Sequence, residues 1–246
     1  MRILLALLLL AAPAQARRVV SLNLCSDQYL LLLAPEQAVA VTFLAADPAL
    51  SAMAPQAAGV ATVRADAEAV LRLAPDLVLA GDWGAPAALA ALERRGVKIR
   101  RLAPAEDFPT IRARTIEAAA LLGEPQRGAA AIAAMDALLS TPASPPHDAL
   151  ALQPRGWTSD AGSLMRAVMQ QAGLHDLGDG RRWDLEKLAA NPPPLLVVPQ
   201  APGFPSLATE MLHHPALAAI PRRAVSPALV LCGGPWTAGA VGPLAR

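Results

Sequence analysis

The chain has 246 residues, a formal net charge of +1 and a hydrophobic fraction of 54%. So balanced a charge excludes the strong basic bias by which proteins hold nucleic acid or anionic lipid surfaces. Four Trp, three Phe and one Tyr are its aromatics, which makes each aromatic position informative, and its two Cys allow one disulfide without proving it.

Met1-Arg2 supplies a minimal positive region, residues 3–12 a short apolar run, and Ala14-Gln15-Ala16 the small-x-small pattern of a signal-peptidase site. Residues 1–16 therefore read as a secretory signal peptide, with the mature chain starting at Arg17. The apolar run is too short for a permanent membrane anchor. A lipoprotein would carry a cysteine at the cleavage point after a small residue. Cys25 instead follows Leu22-Asn23-Leu24, so lipid attachment is not expected. Later apolar runs are broken by Pro, Gly or charge. The mature protein, roughly 230 residues, is expected to be soluble and periplasmic, with one large or two modest domains.

Residues 18–22 and 38–42 read as strands, with a helix from about residue 26 to 33 between them. A short helix at 66–72 leads into an apolar strand at 76–80. A helix at 86–95 stops at Gly96, followed by a strand at 98–102 and a helix at 110–122. An Ala-rich helix at 125–140 precedes a breaker cluster at 141–146. The pattern then resumes with a strand at 149–153, helices at 163–171 and 184–190, a strand at 195–199, a short strand at 223–226 and a terminal helix at 237–244. Apolar strands alternating with helices predict parallel sheets covered on both faces. The expected fold class is α/β: an N-terminal lobe at 17–123, an interlobe helix and linker at 124–145, and a C-terminal lobe at 146–246.

One internal echo points to related halves. Asp66-Ala67-Glu68 stands nine residues before Pro75-Asp76-Leu77, and Asp184-Leu185-Glu186 the same distance before Pro193-Pro194-Leu195. Helix-to-strand units also converge on such patterns, because acids favour the first helical turn.

The ordered set of segments resembles the periplasmic binding proteins for cobalamin, haem and ferric siderophores. The resemblance covers essentially the whole mature chain. It rests on Arg18-Val19-Val20-Ser21-Leu22, on Leu73-Ala74-Pro75-Asp76-Leu77-Val78-Leu79-Ala80, and on Leu92-Glu93-Arg94-Arg95-Gly96-Val97. The helix across the middle and the second acid-to-proline unit complete it. It implies a monomeric solute-binding subunit of an ABC importer, with two lobes joined by a single long rigid helix and a ligand cleft between them. It further implies docking of Glu68 and Glu186 onto arginines of a permease dimer in the inner membrane, and no cofactor beyond a transported corrinoid or iron chelate.

In open parallel sheets ligands bind beyond the carboxyl ends of the strands. The residues there include Cys25, Asp27, Phe43, Asp82, Trp83 and Phe108 in the first lobe, and Trp157, Phe204 and Trp236 in the second. All nine are candidate ligand contacts. Aromatic faces across a cleft suit a large, flat, partly apolar ligand. The resemblance to the cobalamin branch implies pocket roles for Trp83 and Trp236. The acids Asp27, Asp82, Glu106 and Asp107 disfavour an anionic siderophore. Arg155 is the main cationic candidate and reads as a solvated loop residue. Tyr29, inside a helix, and His213-His214, beyond a helix end, are poor candidates for a haem axial ligand.

No nucleophile elbow, phosphate loop, dinucleotide fingerprint or zinc helix is present, and no catalytic residue is expected. Gly233-Gly234-Pro235 reads as a turn. A different class of function would be metal-ion binding through Cys25, Asp27 and Cys232. For the two cysteines three readings stand: separate buried thiols, placed slightly first, then a disulfide across the cleft, then metal ligation.

Overall fold

Val19-Val20 and Leu77-Val78-Leu79 are short apolar runs with no polar face, which suits strands covered on both sides. In the computed structural model, which describes residues 17–140, 146–200 and 207–246, they form the middle of a parallel sheet. The first lobe runs β1 (Val19–Ser21), α1 (Leu24–Leu33), β2 (Ala38–Val41), α2 (Ala54–Ala57), β3 (Ala61–Thr62), α3 (Ala67–Arg72), β4 (Leu77–Ala80), α4 (Pro86–Arg94) and β5 (Ile99–Arg101). Its strand order is β3-β2-β1-β4-β5. Alternate residues separate its two cores: Val19, Leu77 and Leu79 pack under α1, whereas Val20, Val78 and Ala80 pack with Val70, Leu89 and Leu92 of α3 and α4.

Two helices follow, α5 (Phe108–Leu122) and α6 (Pro125–Leu139), and then the second lobe. It runs β6 (His147–Ala151), α7 (Leu164–Gln171), β7 (Leu174–Asp176), α8 (Leu185–Ala190), β8 (Leu196–Pro199), β9 (Arg222–Val225), α9 (Pro227–Val230) and α10 (Val241–Ala245). This sheet is parallel too, in the order β7-β6-β8-β9. Residues 1–16, expected to be a signal peptide, residues 141–145 of the breaker cluster and Phe204 lie outside the described residues.

At the junction α6, the helix expected between the lobes, is accompanied by α5. α5 and α6 form an antiparallel pair, and each reaches both lobes. Ala118, Ala119 and Leu122 belong to the first core, and Phe108 and Ile111 to the second. Asp107 accepts from Thr110 N to cap α5, so this helix starts two residues before the expected position, with Pro109 in its first turn. The chain also crosses back: Cys232 and Trp236 pack in the first core, although their neighbours 238–244 pack in the second. Two short edge strands, β3 and β7, were not legible in the sequence, because two or three residues show no period. The terminal helix divides into a 3-10 turn at Pro235–Ala240 and α10. Among the described residues no helix is long and apolar enough to cross a membrane.

Candidate functional site

In each sheet the chain reverses direction of growth beside its first strand: between β1 and β4 in the first lobe, and between β6 and β8 in the second. Loops leaving neighbouring strands diverge at such a point and open a crevice. In the second lobe the crevice is a cavity of about 400 Å³, lined mainly by apolar groups including Leu152, Pro154, Leu164, Met165, Val198 and Val230. Leu164, Val230 and Leu231 also line a smaller hollow of about 170 Å³ whose other wall is Cys25, Tyr29 and residues 102–106 of the first lobe. The two hollows thus share a wall and lead from the second sheet to the interlobe boundary.

The floor of that boundary is covalent. Cys25 and Cys232 form a disulfide, with Cα atoms 5.3 Å apart. The preferred expectation of two separate thiols is overturned, and so is the metal site, because both sulfurs are consumed in the bond. Among the described residues no cluster of three His, Cys, Asp or Glu could hold a metal. Around the disulfide, Tyr29 Oη donates to Gly233 O at 3.0 Å, and its ring meets the edge of Trp236 at 5.3 Å between centroids. Trp236 Nε1 donates to Cys232 O at 2.9 Å. Gly233 must be glycine, since a Cβ there would run into the Ala105 carbonyl.

Three expected ligand contacts therefore belong to the interior. Trp236 is 9% exposed and packs on Tyr29; Phe108 is buried at the start of α5 in the second core. Asp27 is fully buried, and its Oδ2 accepts from Thr42 N and Thr42 Oγ1. Burial pushes the Asp27 carboxyl up to about 6, against the lowering by its Thr42 hydrogen bonds. Sequence position could not reveal this: Asp27 lies in the first turn of α1 on the side that meets Thr42, just past the end of β2, so the fold buries it.

Other expected contacts stand free at strand ends. Phe43 follows β2, Trp83 and Asp82 follow β4, and Trp157 follows β6, all exposed. Trp83 is 77% exposed on a loop where Gly84 and Ala85 both take positive φ, at 98° and 48°. That backbone turns the chain sharply into α4 and leaves the indole uncovered. The residues that line the second-lobe cavity had no signal of their own, since apolar strand ends look like core.

The chain matches no family model and no curated protein by sequence. Solved structures do resemble it along nearly its full length. A periplasmic haem-binding protein from Pseudomonas aeruginosa has a TM-score of 0.71 and 22% identity over 93% of this chain and 91% of its own. HutB, a periplasmic haem-binding protein of Vibrio cholerae, has a TM-score of 0.74 and 18% identity over 94% and 98%. RhuT, the periplasmic haem-binding protein of Roseiflexus, gives 0.69 and 21% over 94% and 97%. The chain has the periplasmic-binding-protein fold.

Within the binding-protein fold, Glu68 and Glu186 occupy equivalent places. Each is the second residue of a short helix, α3 or α8, that leaves an edge strand, β3 or β7, on the carboxyl side of its sheet. Asp66 caps the first helix and Asp184 the second, each accepting backbone N–H bonds. Both glutamates are exposed. The echo seen in the sequence is thus a repeated capped turn at one topological position. The histidines stay away from the cavities described: His175 Nδ1 meets Asp148 Oδ1 at 2.8 Å on an exposed face, and His213 and His214 lie on a 3-10 segment and its end.

Proposed function

We propose that the protein is the periplasmic solute-binding subunit of an ABC importer, acting as a monomer and carrying a large, flat, partly apolar ligand of the corrinoid class. The observation that carries this reading is the apolar cavity at the switch point of the second sheet, which shares Leu164, Val230 and Leu231 with the hollow at the interlobe boundary. Burying a flat apolar ligand there would release about 25 cal/mol for each Å² of apolar surface removed from water. The fold similarity and the secretory pattern at residues 1–16 support a transport role in the periplasm. Glu68 and Glu186 are assigned to permease docking.

Haem is the second reading, because several similar solved structures are haem-binding proteins. Against it, the chain's one tyrosine is buried with its hydroxyl committed to Gly233 O. No histidine lines the cavity or the hollow beside it. An axial ligand of the usual Tyr or His type is therefore not offered by those walls. Titration calorimetry with cobalamin, haem and a ferric siderophore decides among them, together with the absorption spectrum of protein purified from its native periplasm. Cobalamin binding with no haem band is expected; binding of a siderophore alone would remove the corrinoid assignment and leave the transport role.

A further inference from the structure

Two separate segments build much of the second-lobe cavity wall. One is Ala151 to Pro154, where β6 runs out; the other is Ser163-Leu164-Met165, the cap and first turn of α7. Each is fixed internally. The sheet holds the first, with Leu152 N donating to Val197 O at 2.9 Å, and Ser163 Oγ caps the second by accepting from Arg166 N at 3.4 Å. Neither the strand ladder nor the helix cap sets the distance between the two segments.

A buried acid behind the cavity joins them. Asp176 is the last residue of the edge strand β7, where it pairs with Ala149, and its side chain is fully buried. Its two oxygens face different segments. Oδ1 accepts from Ala151 N at the end of β6 and from Gly178 N, both at 3.1 Å. Oδ2 accepts from Ser159 Oγ and meets Arg166 Nε of α7 in an ion pair at 3.5 Å. Arg166 extends the link, because its Nη2 donates to Ser159 O at 3.4 Å and to Gly178 O. Ser159, itself buried, is enclosed on the far side too: Gly180 N donates to its carbonyl at 3.0 Å, and a Cβ on Gly178 would come within 2.6 Å of that oxygen. One carboxylate therefore holds β6 through one oxygen and α7 through the other.

A buried ion pair is a poor source of stability, since apolar residues of similar volume often do as well; what it imposes is one geometry. We propose that Asp176 is a positioning residue for the solute site: its carboxylate clamps the first turn of α7 against the end of β6 and so sets the width of the apolar cavity. This deepens the solute-binding reading above and rests on it. Asp176, Ser159 and Arg166 are not among the residues that line the cavity, so they act through Ala151 and through Ser163, Leu164 and Met165. A wall held in place before the ligand arrives need not be ordered at binding, and that saving appears as affinity.

The test compares wild type with Asp176→Asn, which keeps the volume and one acceptor oxygen for Ala151 N but puts an amide where Oδ2 meets Arg166. Ser159→Ala, a milder cut at the same oxygen, serves if the first variant fails to fold. Leu92→Ala, in the first-lobe core, controls for lost stability without touching the second lobe. Cobalamin and haem are the probes, titrated by calorimetry. For whichever binds wild type, affinity should fall about 10-fold in Asp176→Asn, the scale of one lost charge-assisted hydrogen bond. Leu92→Ala should stay within about twofold, as distant sites act independently. Hydrogen exchange supplies a readout that needs no ligand: the Arg166 and Ala167 amides of α7 should exchange about tenfold faster in Asp176→Asn, with first-lobe strand amides unchanged. Unchanged probe affinity in Asp176→Asn, or an equal loss in Leu92→Ala, overturns the clamp and leaves the solute-binding reading standing. If neither probe binds wild type, the corrinoid and haem readings both fall and exchange alone decides: wild-type rates in α7 of the variant overturn the clamp, and faster rates confined to α7 uphold it.

Discussion

Asp27 is the residue whose environment most opposes its chemistry. It is fully buried, Oδ2 is satisfied by Thr42, and Oδ1 has no partner among the described residues. Its carboxyl is held near 6, above the unfolded range near 3.9, so between those values the folded state binds more protons than the unfolded chain. The stabilising contribution of the protonated form is complete below about pH 4 and is lost as pH rises towards 6. Asp27→Asn should abolish that slope and stabilise the protein at pH 7.5 by about 1–3 kcal/mol. Urea denaturation at pH 4, 5, 6 and 7.5 checks it; a wild-type stability that does not fall relative to the variant over this range would refute the assignment. Trp83 offers the opposite case, a large apolar group left in water. Trp83→Ala should leave stability within about 0.5 kcal/mol of wild type. It should weaken binding of the proposed corrinoid ligand by about 1–3 kcal/mol. Calorimetry showing undiminished affinity would take Trp83 out of the binding surface.

At the scale of elements, the contact between α5 and α6 decides how the lobes are spaced. Gly128 sits where α6 crosses α5, and a Cβ there would come within 2.5 Å of Ala119 Cβ and 3.6 Å of Thr115 O. Helix propensity alone predicts that Gly128→Ala stabilises by about 1 kcal/mol. Close packing predicts the reverse, since the neighbour is a Cβ on a rigid helix that cannot swing aside. Overpacking should win, with a net loss of about 1–2 kcal/mol; a raised melting temperature for the variant would show that the helices separate freely. The short helices α3 and α8 carry a different expectation. Their caps hold Glu68 and Glu186 exposed without tying up the carboxylates, as suits docking on cationic loops. Glu68→Ala/Glu186→Ala should slow association with the permease and flatten its salt dependence while ligand affinity holds. Loss of ligand binding with docking intact would invert the assignment.

For the molecule as a whole, the Cys25–Cys232 bond closes a loop of sequence separation 207 and joins the first helix of one lobe to the returning segment of the other. In the chain-entropy description such a loop contributes about 5 kcal/mol, an upper value because unfolded chains retain structure. Together with Tyr29, Trp236 and the paired helices it ties the lobes at three places, so ligand capture is expected with little change in lobe angle. A Cys25→Ser/Cys232→Ser variant should unfold in denaturant with about 2–5 kcal/mol less stability, and reductant should have no effect on it. Equal stability of variant and wild type would mean that packing at Tyr29 and Trp236 already holds the lobes unaided.

Much of this architecture is written locally. The apolar runs at β1, β4, β6 and β8, the proline and glycine stops, and the acid caps at Asp66 and Asp184 each act within a few residues, and so the two α/β lobes and the repeated capped turn could be read from the chain. The secretory pattern is also local, though it lies outside the described residues. What the tertiary structure decided concerns groups distant in sequence. Whether Cys25 meets Cys232, whether Trp236 faces a cleft or Tyr29, and which side of α1 Asp27 occupies all depend on where the returning segment packs. Burial follows from that packing over the whole molecule, and a strand-end aromatic or acid carries no local mark of whether another segment will cover it.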